Sequence, residues 1–399
     1  MRQLRIACIG AGQDAHSRTR GYMAVIRRLP HLFDLCAVVD RDEAHTQEAS
    51  EQFGIPAQYA HLDELLRDDP PDVVFRLTPT DSALPVIVRA AEAGCHVLSE
   101  IPIAITLPRA DLAIEACRRH GVKLEIAENV WLWPQERLKR RIVEAGLVGE
   151  PIHARLSYPC GSYHGFNAVR MILGADPEAV LGFGGEVPVE ERIAYGGEPM
   201  SREQWDGALL RFPGHLQCLF DMPPKRPAWR RHWSVEGTRG HLDDDVLTIY
   251  ERGEERPYPI EWVYDDAEGQ RVLRCVRVNT GPPVEWENPY ATYGISEMDD
   301  VAKAALLESI HRAVVDDTEP IYGAANARRD MELCIALKES AWQGSRWLDL
   351  PLQAVTSVEE RLHEAFRERY GCDPLGDIGP QLDAAYDRTS VMWTVAGWL

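Results

Sequence analysis

Arg5-Ile6-Ala7-Cys8-Ile9-Gly10-Ala11-Gly12-Gln13-Asp14-Ala15 is the stretch on which the reading of the chain turns. An apolar run that ends in GxGxxA and passes into a helical pattern from Asp14 to about Arg28 predicts strand, tight turn and helix. Gly10 permits the turn, Gly12 lets the backbone approach a pyrophosphate, and Ala15 is small enough for the helix to lie on its strand. With Gln13 and Asp14 at its start, the helix presents unpaired N–H groups to phosphates. Alone, the pattern is equally that of a glycine turn that binds nothing.

Leu35-Cys36-Ala37-Val38-Val39-Asp40 supplies the second half of a dinucleotide site: another buried-strand run, closed by an acid at the spacing of a ribose-binding carboxylate. Asp40 is placed to accept hydrogen bonds from the adenosine ribose hydroxyls and to repel a 2′-phosphate. NAD is therefore expected over NADP, although Arg41 next to it is a cation able to flank such a phosphate.

The length of 399 residues implies more than one core, and 45% hydrophobic with 27% charged residues describes a water-soluble chain. No apolar run has the length of a membrane span, and the N-terminus lacks the layout of a signal peptide, so a cytoplasmic location is expected. A net charge of -20 opposes nucleic acid and anionic membrane surfaces as partners. The nine cysteines include no CxxC pair and read as reduced thiols; zinc spacing and HExxH are absent, so no metal is expected.

After Asp40 the pattern alternates: helices at Glu43 to Phe53 and Leu62 to Arg67, then the strand run Asp72 to Leu77. Thr78-Pro79-Thr80 ends that strand on the cofactor side, and Asp81 and Ser82 are placed to cap the helix that runs to Ala93. A strand with Glu100-Ile101-Pro102 at its end, a helix from Leu107 to His120 and a sixth strand from Val122 to Ala127 complete a parallel, doubly wound sheet. Beyond Val130 come helices from about Pro134 to Ala145 and from Gly161-Ser162-Tyr163-His164 to Leu173. Strand-like sequence fills Leu181 to Val278, and helices return at Ser296 to Val315 and Ala324 to Gln343. A further amphipathic helix spans Val358 to Tyr370, and the last residues, with Trp393 and Trp398, are too apolar to stay in water. That tail docks on its own subunit, on a partner or over the active site.

The landmarks in order, GxGxxA, the acid after the second strand, Thr-Pro after the fourth, GCHVLSEIP, AEN and EAGLVGEP, resemble the Gfo/Idh/MocA oxidoreductases from residue 4 to about 352. The resemblance implies an α/β protein: an N-terminal Rossmann domain and a C-terminal α+β domain with a large, mostly antiparallel open sheet. The corresponding division is 1–128, 129–352 and a C-terminal extension 353–399, with assembly as a homodimer or homotetramer through the open sheet. It also implies an NAD(P)-dependent oxidoreductase acting on a hydroxyl of a sugar, cyclitol or similar small molecule.

Two features depart from the family. The Glu-Lys-Pro turn is Glu100-Ile101-Pro102, and isoleucine holds no charge; HGFNAVRMILG at 164–174 keeps the family histidine as His164, but the acids around it are Cys160 and Asn167. On the sharper reading His164 is the base, helped by Tyr163, with Asn167, Asn129 and Trp131 on the substrate and Glu100 on the cofactor side. Two alternatives stay open. The chain resembles NAD-dependent glycoside hydrolases, which also lack the lysine and work by transient oxidation and elimination; or it has lost catalysis and kept a binding role.

Overall fold

The computed structural model describes residues 2–12, 17–157, 162–193, 199–222, 232–267, 269–386 and 389–396, without the side chains of 162, 267, 270, 393, 394 and 396. Gln13, Asp14, Ala15, Cys160, Gly161, Arg230, Arg231 and Trp398, and the side chain of Trp393, lie outside the described residues.

In chain order the first elements are β1 (Leu4–Ile9), α1 (Arg18–Arg28), β2 (Phe33–Val39), α2 (Glu43–Phe53), β3 (Ala57–Tyr59), α3 (Leu62–Asp68), β4 (Val73–Arg76), α4 (Ala83–Glu92), β5 (His96–Ser99), α5 (Leu107–His120) and β6 (Leu124–Ile126). They are followed by α6 (Pro134–Glu144), β7 (Pro151–Ser157), α7 (Ser162–Leu173), β8 (Ala179–Ile193), β9 (Pro199–Arg211), β10 (Gln217–Met222), β11 (His232–Gly237), β12 (Gly240–Asp243), β13 (Val246–Glu251) and β14 (Glu254–Pro259). The chain continues with β15 (Glu261–Ala267), β16 (Gln270–Val278), β17 (Val284–Glu287), α8 (Met298–Val315), α9 (Gly323–Trp342), β18 (Trp347–Asp349), α10 (Ser357–Tyr370), α11 (Ile378–Asp383) and α12 (Val391–Ala396). Two compact units result: Met1–Asn129 with Tyr290–Arg329 and Leu362–Val391, and Val130–Pro289 with Asp330–Arg361 and Met392–Leu399.

The first unit is built on a parallel sheet in the order β3-β2-β1-β4-β5-β6. Its strands are buried on both faces, as Leu35, Val38, Val73, Val74, Phe75, Val97 and Leu98 are, which is why they read as continuous apolar runs. Strand order reverses between β1 and β4, and the carboxyl ends of strands at such a point form a ligand crevice. Helix α1 starts at Arg18, later than its periodicity implies, because Ser17 takes the N-cap position and its Oγ accepts from the Arg20 N–H.

The expected cap of α4 is a correction. A 3₁₀ turn over Thr80–Ser82 precedes the helix, and the Ser82 hydroxyl donates to the Pro79 carbonyl at 2.7 Å instead of capping. Asp81, fully buried, needs donors of its own and finds them in the tail: Tyr370 Oη at 2.7 Å, Val391 N–H at 3.0 Å and the Ser390 hydroxyl. The tail therefore docks on the Rossmann helices of its own chain. Buried Arg109 on α5 donates to Gln381 Oε1 at 3.0 Å and to the Pro374 carbonyl, and its guanidinium lies 4.5 Å above the Phe366 ring. Thr106 Oγ1 meets His363 Nε2 at 2.8 Å; burial, then Arg109 and Arg367, push that imidazole down to about 4.

The second unit holds a nine-stranded sheet, β14-β13-β12-β11-β7-β10-β9-β8-β18, whose pairs are antiparallel except β7 with β10, and a three-stranded antiparallel sheet, β15-β16-β17. Helix α9 lies directly on β8 at Gly182, where a Cβ would stand 2.0 Å from the Leu337 carbonyl oxygen. The contact is fixed by the Gly182 N–H to Ser340 Oγ bond at 2.8 Å and by buried Lys338 on Asp206 at 2.5 Å. The fold is thus the expected α/β architecture, a Rossmann sheet with a large mixed sheet after it. Among the described residues no helix is long and apolar enough to cross a membrane.

Candidate active site

At the end of β1 the backbone turns through Gly10 (φ +103°) and Gly12 (φ +75°). A side chain at Gly12 would bring its Cβ to 2.2 Å from Ser17 Oγ and to 3.1 Å from Thr19, and at Gly10 to 3.2 Å from the Leu77 backbone. Both positions thus exclude side chains on conformational and steric grounds. Asp40, at the end of β2, accepts from the Ala11 N–H at 2.8 Å and from the Asp42 N–H at 3.1 Å, which fixes its carboxylate against the turn with lone pairs to spare for ribose hydroxyls. Arg20, buried in α1, holds the turn from behind through the Ala11 carbonyl at 2.7 Å. Gly10, Gly12 and Asp40 are therefore brought together, whereas Arg41 points its guanidinium to the carbonyls of Leu382 and Ala384.

At the ends of β4 and β5 the organising group is Arg76. It is fully buried, it donates to Ser99 Oγ at 2.7 Å and to the carbonyls of Thr78, Pro79 and Glu100, and desolvation pushes it down to about 9. The Thr78-Pro79 loop and the Glu100 turn are tied to one guanidinium in this way, and Thr78 Oγ1 is held by Ser82 Oγ at 2.7 Å. Glu100 accepts from the Ile101 N–H at 2.9 Å and pairs with Arg18, which also reaches Tyr22 Oη at 3.3 Å and Asp299 at 3.4 Å. Asp299 is bonded further by Asn129 Nδ2 and, at 2.8 Å, by Lys303. Burial would raise that carboxyl, but Arg18 and Lys303 outweigh it and hold the group below its ordinary value. Asn129 is thus a further partner of Asp299.

Sequence reasoning missed Arg18, Arg76, Asp299 and Lys303. Arg76 left a signal, a charged residue inside an otherwise apolar strand run, and such a side chain must be satisfied locally. Asp299 left none, because 170 positions separate it from Asn129.

In the second unit, α7 carries the expected His164 and Tyr163. His164 is half-buried and Tyr163 is nearly fully buried at 3% exposure. Asn167, expected on the substrate, is wholly buried, and its Nδ2 donates to Asp330 at 3.2 Å. Arg170, one turn on, reaches the other oxygen of Asp330 at 2.6 Å, so this face of α7 is directed at α9. Trp131 is also buried, at 7% exposure, with the Arg140 guanidinium 5.9 Å from its ring centre. His232, Asp243 and Asp244 lie within 4.8 Å of one another on the β11–β12 hairpin. There Asp244 accepts from the Trp233 N–H at 2.9 Å and the His232 ring at 3.1 Å.

Residues 4–128 match the family model described as the oxidoreductase family, NAD-binding Rossmann fold. The chain is 25% identical over 319 residues to an NADP-dependent D-xylose 1-dehydrogenase of Haloarcula marismortui, covering 72% of this chain and 79% of that one. It is 24% identical over 200 residues to an NAD-dependent scyllo-inositol 2-dehydrogenase of Bacillus subtilis, which is 46% of this chain and 57% of the relative. A solved oxidoreductase from Agrobacterium radiobacter, in complex with NAD+, L-tartaric acid and magnesium, superimposes with a TM-score of 0.65 at 18% identity over 87% of this chain and 98% of that one.

Sheet order, glycine turn and terminal acid define a Rossmann oxidoreductase with a nicotinamide cofactor. Residues 4–128 match the Gfo/Idh/MocA family model, and the relatives matched beyond them are dehydrogenases of sugars and cyclitols.

Proposed function

We propose that the protein oxidises a hydroxyl of a sugar, cyclitol or similar polyol-derived small molecule, with NAD as cofactor. The observation that carries this reading is the cradle at the end of β1. Gly10 and Gly12 turn the chain there with no side chain over the backbone, and the Ala11 N–H holds Asp40 in place for a ribose. When bound, NAD supplies the hydride acceptor. Arg76 and the Arg18–Glu100 pair fix the loops at the carboxyl ends of β4 and β5, and His164, the partly exposed histidine of α7, takes the hydroxyl proton. Tyr163 supports it from the same helix turn.

The dehydrogenase relatives favour net oxidation over a redox-neutral hydrolase or a binding-only role. The proposal extends to a cytoplasmic homodimer or homotetramer: Leu181, Leu209 and Leu219 pair across β8, β9 and β10, so they share one sheet face, and Leu209 is 38% exposed. Fluorescence titration with NADH and NADPH, then a polyol and aldose screen at the nicotinamide absorbance band, tests the function. Failure of both dinucleotides to bind at about 1 mM would refute it.

A further inference from the structure

Arg41 immediately follows the ribose acid, where a cation is placed to answer a 2′-phosphate. In the structure it answers something else. Its Nη1 donates to the Ala384 carbonyl and its Nη2 to the Leu382 carbonyl, both at 2.7 Å. These oxygens lie at the end of α11, where helical carbonyls have no partner within the helix and a guanidinium is the complementary cap.

The tail is held firmly in that position. Asp377 caps α11 through the Gly379 N–H at 3.0 Å, and fully buried Gln381 is fastened to Arg109 at 3.0 Å and to the Asp373 carbonyl at 3.1 Å. Tyr386 Oη donates to the Gln381 carbonyl at 2.8 Å while its ring packs 4.9 Å from Tyr370, which is itself bonded to Asp81. The sequence neighbours of Arg41 are acidic: Asp40, Asp42, which caps α2 through the Ala44 N–H at 3.0 Å, and Glu43. With each outer nitrogen bonded to a carbonyl, the guanidinium is turned to the end of α11, and the three carboxylates repel a phosphate.

We propose that the C-terminal extension sets cofactor choice: by holding Arg41 on the end of α11, it withholds the one cation of the 40–43 segment and leaves a site for a dinucleotide without a 2′-phosphate. This rests on the NAD reading above and adds to it a residue contact made from the far end of the chain.

The test is a cycle of dissociation constants for NADH and NADPH. Four proteins are compared, the intact chain and a chain ending at Gly376, each with and without Arg41→Ala; the Gln381→Ala/Tyr386→Ala double variant replaces the shortened chain if that chain fails to give a cooperative melt. Release of the tail is expected to tighten NADPH about tenfold with NADH little changed. Arg41→Ala is expected to abolish that gain in the released background and to leave NADPH binding within about twofold in the intact one. The inference is overturned if release leaves the NADH-to-NADPH ratio unmoved, or if Arg41→Ala weakens NADPH equally in both backgrounds. If the intact chain binds neither dinucleotide, the reading beneath it fails instead.

Discussion

Two helix starts carry the candidate chemistry, α1 in the first unit and α7 in the second, and they use their residues in opposite ways. Before α1 the working surface is a backbone turn, shaped by Gly10 and Gly12, which have no side chains and sit at φ values that other residues resist. On α7 the working groups are side chains, and two of the three that the sequence singles out, Tyr163 and Asn167, are turned into the interior. A site made of backbone is specified by what is missing locally. A site made of side chains depends on which helix face a distant element covers, and for α7 that element is α9, whose Asp330 takes both Asn167 and Arg170.

The largest expected effect breaks the backbone site. Gly12→Val places a branched side chain at φ +75° with its Cβ against the Ser17 cap, and NADH binding should vanish up to about 1 mM in a fluorescence titration. Retention of near-normal affinity would mean that the pyrophosphate lies elsewhere.

Buried carboxylates sharpen the same contrast. In the second unit Asp330 is paired with Arg170, whereas Glu125 of the first unit, fully buried on β6, has neutral donors: the Ser309 hydroxyl, the Gly323 N–H at 2.7 Å and the Ile126 N–H at 2.9 Å. Burial pushes its carboxyl up to about 7, against the partial relief of those donors. The folded chain thus binds this proton more tightly than the unfolded chain does. Its stabilising effect is complete below about pH 4.5 and is lost as pH rises through about 7, a loss of roughly 3 kcal/mol. Urea midpoints at pH 5 and pH 8 should converge in Glu125→Gln; an unchanged pH slope would remove Glu125 as the cause.

His164→Asn tests the side-chain site. Turnover should fall about a hundredfold while the NADH dissociation constant stays within about twofold. Full retained activity would move the base away from α7, and a parallel loss of NADH binding would make His164 a structural residue.

The fold and the cofactor edge were largely legible in the sequence because their signals are local. Apolar runs of strand length, the glycines, and the acid that closes β2 each act within a few residues of themselves. What was not legible is long-range. Asp81 looks like a helix cap and is instead the anchor of the tail, 289 residues away at Tyr370; Asn129 and Arg18 meet through Asp299 on α8. Arg41 is the sharpest case, since adjacency to Asp40 points it at a phosphate and only the folded tail shows where its hydrogen bonds go.

The smallest effect decides whether Asn167 belongs to the interior or to the substrate. Its Nδ2 bond to Asp330 is a hydrogen bond to a buried carboxylate, but Arg170 remains on that carboxylate at 2.6 Å, so Asn167→Ala leaves Asp330 paired and removes one bond and a small volume. A stability loss of about 1–2 kcal/mol is expected, read as a lower urea midpoint, with KM and kcat within about twofold of the parent. Asn167→Asp should cost more, because it sets another carboxylate beside buried Asp330. The reverse pattern, a KM raised tenfold or more in Asn167→Ala with the midpoint unmoved, would return the amide to the substrate and require the α7–α9 contact to open when substrate binds.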